Sequence, residues 1–249
     1  MPQIGPQITN IDGLMNAAIT AVRNFGNATP WWRGQASAAW NLVPSVFRRA
    51  DAARAERNFT GRFRERARSR YPNCPEKDDP AAWLSLMQHY RLPTRLLDWT
   101  ESPLIALYFA LSEENDQPSA IWALSPTAFN EALFGQNVIF GEQNPQIQNL
   151  FLDSFRPEIN QTGVAAVQSP EIDIRNLVQL SQHTVHGDSN PIEEIEGNNN
   201  YLFKFEVPVG AKEGLKQSLY ILGIREANLF PDLEHLAKEL ADMTFLQEC

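Results

Sequence analysis

The most informative part of the chain is residues 88–100, which read QHYRLPTRLLDWT and continue into ESPLIALYFA at residues 101–110. This run places two arginines, an aspartate, a threonine and a histidine in what its sequence indicates is a short loop between apolar segments. Loops held by a rigid scaffold are where binding and catalytic groups concentrate. We therefore expect a polar site in this part of the molecule.

The composition predicts one globular domain in a reducing compartment. The chain has 249 residues, of which 43% are apolar, so it can bury a sizeable core. Two cysteines are too few for a disulfide framework and lack the spacing of a metal site. The N-terminal residues have no signal-peptide pattern, and no apolar run is long enough to cross a membrane. We expect a cytoplasmic protein that binds neither metal nor membrane.

Charge is distributed unevenly. The net charge of -9 argues against nucleic-acid binding by the whole surface. Residues 48–70, however, hold nine arginines against Asp51, Glu56 and Glu65, a local excess of 9 - 3 = +6 that leaves -15 for the remainder. This arginine-rich segment is either a docking surface for a phosphate-rich partner such as RNA or a solvated face.

Hydrophobic periodicity predicts an α+β fold with a mixed or antiparallel sheet surrounded by helices, in a single domain over residues 1–249. The predicted helices are residues 11–25, 52–71, 81–90, 103–113, 211–221 and 232–243. The predicted strands are residues 30–33, 120–124, 174–186 and 201–207. We expect residues 1–29 to form an N-terminal helical segment that braces the core. We expect residues 136–169 to form a mobile excursion with one short helix near residues 147–155.

Four blocks of the chain resemble the FRG domain, a family named for its Phe-Arg-Gly tripeptide. They are WWRGQ at residues 31–35, WNLVPS at residues 40–45, the 88–100 run and LFPDL at residues 229–233. Trp32 stands where the family has Phe, and Arg91 stands where it has Gly. Because Arg disfavours backbone angles that only Gly takes easily, we expect the loop to be reshaped at Arg91.

The order of the polar residues is also similar to that in the arginine-type branch of the ADP-ribosyltransferase superfamily. There an early strand carries an arginine that contacts NAD, a later strand ends in Ser or Thr before a helix resembling Ala-x-x-Phe-Ala, and a third strand supplies a glutamate. Arg33, then Thr100 with Ser102, then residues 106–110 match this order. The resemblance implies an ADP-ribosyltransferase-like fold.

This likeness implies an NAD-directed ADP-ribosyltransferase or NAD glycohydrolase. A toxin or antiphage defence role would fit such an activity. NAD would be its substrate, and a protein or nucleic acid its acceptor. The implied catalytic residues are Arg33, Thr100 and Gln179. The implied nucleotide-binding residues are Arg33, Gly34, Gln35, His89, Arg95, Asp98 and Ser102. Gln179 lies about where the glutamate is expected, and because an amide stabilises positive charge poorly, it predicts weak or altered chemistry.

Each of these residues also has a structural interpretation. Arg33 could form a buried ion pair with Asp98, and Arg95 could pair with Asp98 to shape the loop. Thr100 or Ser102 could cap the helix that begins at Pro103, and His89 could be a core hydrogen-bonding group. The alternative function is a non-catalytic nucleotide-binding or protein-interaction module.

Overall fold

The protein has an α+β fold built on one mixed sheet. The computed structural model describes residues 1–48, 51–113, 116–156, 158–169 and 174–246, with the backbone alone at residues 52–54 and 242–246. The strands in this part of the chain are β1 (Gln3–Ile4), β2 (Trp31–Gln35), β3 (Leu96–Thr100), β4 (Ser119–Leu124), β5 (Val164–Val167), β6 (Ser181–His186) and β7 (Leu202–Val207). They are ordered β1-β7-β4-β2-β3-β6-β5, with every pair antiparallel except β1 and β7.

Helices surround this sheet. They are α1 (Ile11–Asn24), α2 (Ala52–Ala67), α3 (Pro80–His89), α4 (Pro103–Ala110), α5 (Pro126–Phe134), α6 (Gln148–Leu152), α7 (Ile174–Val178), α8 (Lys212–Ile221), α9 (Glu226–Leu229) and α10 (Leu233–Leu246). Apolar residues of α1, α4 and α8 pack with Trp32 and Phe205 in one core cluster, and residues of α3 and α6 form another. The helices predicted from periodicity are confirmed to within a few residues at most ends.

Two interpretations of the central region are wrong. Residues 96–100 were expected in a loop, yet they form β3, a central strand between β2 and β6. Residues 174–186 were expected to be one strand, yet they divide into helix α7, a turn and strand β6. A five-residue run with a polar centre has little periodicity of its own, so pairing with both neighbours determines its structure.

Residues 136–169 contribute more regular structure than was expected. Besides α6, close to the predicted short helix, this segment supplies strand β5 at the sheet edge. Phe140, Ile147, Leu150 and Phe151 are buried against α3 and the sheet. Its mobility stays a prediction.

Glycine at position 34 is required by helix packing. A Cβ atom there would lie 1.9 Å from the carbonyl oxygen of Ala106 and 2.5 Å from the backbone nitrogen of Ala110. The backbone of helix α4 therefore lies directly against β2 at Gly34. Packing of α4 against β2 in turn positions the end of α4 beside the cleft described below.

Arg91 has a left-handed backbone conformation, with φ at 60°. Non-glycine residues pay about 1–2 kcal/mol for this conformation. The loop between α3 and β3 thus has, at Arg91, the conformation that glycine takes easily, and the backbone there is strained.

Candidate functional site

A cleft of about 280 Å³ lies over the central strands β2, β3 and β6, between the ends of α3 and α4 and helix α7. This volume is close to the lower end of the range for small-molecule sites. Seven of the nine residues predicted for the site line it: Arg33, Gly34, Gln35, His89, Asp98, Thr100 and Gln179. Arg95 and Ser102 are not among its lining residues.

Arg33 is held on β2 with part of its donor capacity unused. Its Nη1 donates a hydrogen bond of 2.6 Å to the backbone carbonyl of Asp98, so the guanidinium contacts that residue's main chain rather than forming the expected carboxylate pair. Its Nε is buried and has no hydrogen-bond partner in the described structure. Burial lowers the pKa of Arg33 to about 10, with a further lowering by Arg48 and an opposing effect of Asp98. Arg33 therefore remains a cation at neutral pH.

Asp98 is a carboxylate oriented by three neighbouring side chains. Its Oδ1 lies 3.2 Å from Nε2 of His183 and accepts a hydrogen bond from the amide of Gln88. Thr94 donates its hydroxyl to Oε1 of Gln88, which fixes the orientation of that amide. The Asp98 side chain nevertheless keeps 61% of its surface accessible. It is both positioned and open to a ligand in the cleft.

The environment of Asp98 favours its ionised form. Surrounding protein raises the pKa of Asp98, but the hydrogen bond and charge of His183, the charge of Arg33 and the hydrogen bond from Gln88 together hold that pKa below its usual value. A carboxylate and a guanidinium therefore share the cleft, both charged at neutral pH.

Thr100 and Gln179 are engaged with the protein itself. The Thr100 hydroxyl donates to the carbonyl of Gln179 at 2.7 Å and accepts from the backbone N–H of Ser102 at 3.1 Å. The Gln179 amide donates to the carbonyl of Leu229 at 2.9 Å. Ser102 caps α4 by accepting from the N–H of Ile105, as its structural interpretation predicted. Gln179 lies in the turn before β6, not within a strand.

The predicted pairing of Arg95 with Asp98 is wrong. Arg95 is buried and contacts Glu56 at 2.6 Å and Asp153 at 3.1 Å, and its Nη1 also donates to the carbonyl of Leu150. This ion cluster joins α2, the start of β3 and α6. Arg95 thus supports the strand that carries Asp98 without lining the cleft.

Gln35 and His89 line the cleft with their polar groups partly committed. The Gln35 side chain accepts from Nε1 of Trp122 at 2.7 Å and donates to the carbonyl of Asn41 at 3.2 Å. His89 ends α3 and is half-buried, with its ring edge-on to Tyr90 at 4.8 Å, so it is not the core group that its structural interpretation predicted.

The cleft also contains residues that were not predicted as site residues. Arg48 and Arg175 add positive charge, and Trp40, 41% exposed, adds an aromatic surface. His183 comes from β6, directly opposite Asp98. Trp40 belongs to the second sequence block, which was the available signal, and Arg48 follows three residues after that block. Arg175 and His183 are brought to the cleft by the folding of α7 and β6.

Residues of the LFPDL block form part of the surroundings of the cleft. Leu229 accepts the Gln179 hydrogen bond, and the Phe230 ring lies 6.3 Å from that of Phe109, which lines the cleft. The Arg175 guanidinium lies 4.6 Å from the centre of the Phe230 ring. The fourth block therefore supports the cleft from outside.

A narrow gap, too small to hold a water molecule, adjoins the cleft at His183, which lines both spaces. Ser85 lines both spaces, and Glu142 lines the inner one. The Ser85 hydroxyl and one Glu142 oxygen are buried without a hydrogen-bond partner in the described residues. Burial and the nearby charge of Asp79 raise the pKa of Glu142.

The FRG domain family matches residues 28–119, which include the first three sequence blocks and strands β2 and β3. No curated protein and no solved structure matches the chain. In the described residues, no helix is long and apolar enough to cross a membrane, and no cluster of His, Cys, Asp and Glu side chains is suited to holding a metal ion.

Proposed function

The chain contains an FRG domain at residues 28–119, and we propose that its cleft binds NAD and cleaves the bond between the ribose and nicotinamide. The observation that carries this proposal is the presence of Arg33 and Asp98 in one cleft, linked to each other through the Asp98 backbone carbonyl. The Arg33 guanidinium suits the anionic pyrophosphate, and the Asp98 carboxylate suits the positive charge that develops on the ribose during cleavage.

Recognition would rest on cations and an aromatic ring. Guanidinium groups present a planar set of donors that matches phosphate oxygens. Arg33, Arg48 and Arg175 supply three such groups, against Asp98 and Glu113 as the carboxylates lining the cleft. Trp40 offers an exposed ring on which a nucleotide base or the nicotinamide would stack. The size of the cleft suits one half of the dinucleotide more closely than the whole molecule.

Asp98 would act on the ribose. When the bond from C1′ to the nicotinamide nitrogen breaks, its electron pair leaves with neutral nicotinamide and positive charge develops on the sugar. An ionised carboxylate held nearby stabilises this charge without reorganisation. Water or an acceptor nucleophile then forms the new bond to C1′, and its proton passes through Asp98 or His183 to solvent. ADP-ribose, or an ADP-ribosylated acceptor, is the second product.

This assignment moves the acidic role from the Gln179 position to β3. Gln179 and Thr100 become positioning residues, because the hydroxyl and the amide are bonded to the protein and tie β3 to the turn before β6 and to Leu229. Loss of cellular NAD through such an activity would suit a toxin or an antiphage effector.

A second candidate is a nucleotide-binding module without turnover. The specific observation in its favour is that Oδ1 of Asp98 already has His183 and Gln88 as partners, so this oxygen is engaged without a reacting ligand. Such a module would retain the recognition role of Arg33 and release no nicotinamide.

Nicotinamide release and thermal shift measured together separate these candidates. We expect the wild-type protein to release nicotinamide from NAD and Arg33→Ala to release it up to about 100-fold more slowly at limiting NAD, as for loss of a hydrogen bond between charged groups. Arg23→Ala, an exposed arginine on α1, is the matched control and should behave as wild type. Stabilisation by NAD without turnover would favour the module. If NAD gives neither stabilisation nor turnover, both candidates are removed.

A further inference from the structure

Three arginines of the α2 region have no carboxylate partner among the residues that the structure describes. Arg62 and Arg66 lie one turn apart on α2, and Arg70 follows just beyond its end; we call these three exposed residues the arginine stripe. In the described part of the chain none of the three takes part in an ion pair. Acidic residues outnumber basic ones in this protein, so the lack of pairing does not reflect a shortage of carboxylates.

Other arginines of the same helix are used differently. Arg57 pairs with Asp153, and Arg64 donates to the carbonyl of Lys77 and lies over the rings of Trp83 and Phe155. A helix C-terminus favours cations within its last turn, which accounts for Arg66 but not for Arg62. Arg70, beyond the helix end, donates to the carbonyl of Arg66 and to the Ser69 hydroxyl. The arginine stripe therefore has more positive charge than the helix itself requires.

An exposed aromatic residue connects this region with the cleft. Tyr90 is 53% exposed, and its ring is held by Phe63 at 6.5 Å and Tyr71 at 6.2 Å. Phe63 follows Arg62 on α2, and Tyr71 follows Arg70. On the other side, Tyr90 contacts His89, which lines the cleft. The sequence of α2 has no exposed ring between its arginines, but Tyr90, directly after α3, supplies one.

We infer that the arginine stripe and Tyr90 form a docking surface for single-stranded nucleic acid, whose chain runs from α2 toward the cleft. Arginines bind phosphates, and an exposed ring stacks on an unpaired base, a combination typical of single-strand binding. An acidic peptide would use the arginines and leave Tyr90 without a role. A duplex would keep its bases stacked among themselves.

The role of this nucleic-acid strand as acceptor for ADP-ribose rests on the proposed function. Its binding to the arginine stripe and Tyr90 does not. Binding is therefore measured without NAD, by fluorescence anisotropy of labelled mixed-sequence 12-nucleotide RNA and DNA strands. Three phosphate contacts predict a slope of about -2 for the logarithm of the association constant against the logarithm of salt concentration. The variant R62Q/R66Q/R70Q should bind at least tenfold more weakly.

Controls distinguish the surface from general charge. R23Q/K77Q/R156Q removes three exposed cations from elsewhere and should bind within about twofold of wild type. Tyr90→Ala should lose about tenfold in affinity, in keeping with the loss of one stacked base, and Tyr90→Phe should retain it. Nicotinamide release without acceptor should be unchanged in the stripe variant, so that failure of binding and failure of NAD cleavage are read separately.

Several results would overturn the inference. They are no binding near 50 mM salt, equal loss in the stripe variant and its control, full affinity in Tyr90→Ala, and displacement of the strand by polyglutamate as readily as by unlabelled strand. Tighter binding of a duplex than of a single strand would also contradict it.

Discussion

Asp98 and His183 face each other across β3 and β6, with Oδ1 of the aspartate 3.2 Å from Nε2 of the histidine. The pair joins a strand inside the FRG match to a strand outside it. Pairing of β3 with β6 thus creates a contact between residues 85 positions apart, and the cleft acquires a carboxylate that is ionised, oriented and accessible.

The first prediction concerns how His183 controls Asp98. His183→Gln removes the charge that helps hold the pKa of Asp98 low, so this pKa should rise. Activity that needs the carboxylate should then be lost at a higher pH on the acidic side of its profile. Carbon-13 NMR titration of the Asp98 carboxyl measures the shift directly. Gln182→Ala, on the adjacent β6 position, should leave the titration in place, and an unmoved pKa in His183→Gln would contradict the assignment.

The second prediction concerns acid stability and His186. Its pKa lies at about 3 chiefly because burial disfavours its charged form, with Arg33 and Arg95 lowering it further. The unfolded chain, in which a histidine titrates near 6.5, takes up this proton first as the pH falls, so acid favours unfolding between these two values. Histidine is uncharged in both states above this window, where the effect vanishes.

Urea unfolding of wild type and His186→Gln tests this linkage. Between about pH 7 and pH 5, wild type should lose about 2 kcal/mol more free energy of unfolding than the variant, at about 1.4 kcal/mol per pH unit below 6.5. Other titrating groups are common to both proteins and cancel in the comparison. Parallel losses in the two proteins would show that His186 is protonated in the folded state.

The third prediction concerns the buried cluster around Arg95. Arg95→Met leaves Glu56 buried without its cation and Asp153 with only its 3.5 Å contact to Arg57, and should cost about 3–5 kcal/mol. Adding Glu56→Gln should recover part of this loss. Arg57→Met is the matched control, because Arg57 lies 3.5 Å from the same Asp153 but is 30% accessible, and it should cost less than about 1 kcal/mol. Similar losses for the two arginine variants would argue against a buried cluster.

The fourth prediction concerns the contact between β2 and α4. Gly34→Ala places a Cβ atom against the backbone of α4 and should cost about 3 kcal/mol or more, since neither main chain can move freely. Gly61→Ala on α2, where an added Cβ meets nothing within 4 Å, should instead stabilise by up to about 1 kcal/mol. Chemical unfolding of both variants checks the opposite signs; a neutral Gly34→Ala would remove the packing explanation.

Local sequence signals predicted elements whose structure depends on their own residues. Helix α1 begins after Asn10, whose side chain accepts from the N–H of Gly13, and its apolar face is readable from spacing alone. Strand β4 is a continuous buried run without helical periodicity. Such elements can be predicted from capping residues and from the pattern of apolar residues.

The predictions that were wrong concern residues whose partners are distant in the sequence. Strand β3 has exposed Asp98 at its centre and becomes a strand because β2 and β6 bond to it on both sides. The partner of Arg95 is Glu56, 39 residues away, rather than the nearby Asp98. The separation of residues 174–186 into α7 and β6 likewise decided where Gln179 and His183 lie. Spacing along the chain carries no information about such pairings, whereas the sequence blocks did indicate which residues gather at the cleft.

The rate of nicotinamide release from NAD by wild type and by Asp98→Asn tests the central proposal most directly. The substitution keeps the shape of the side chain and its contacts with Gln88 and His183 within reach while it removes the negative charge. We expect a folded variant whose release rate is lower by about 100-fold or more. Equal rates in the two proteins, or no release by wild type, would contradict the role of Asp98 in cleaving NAD.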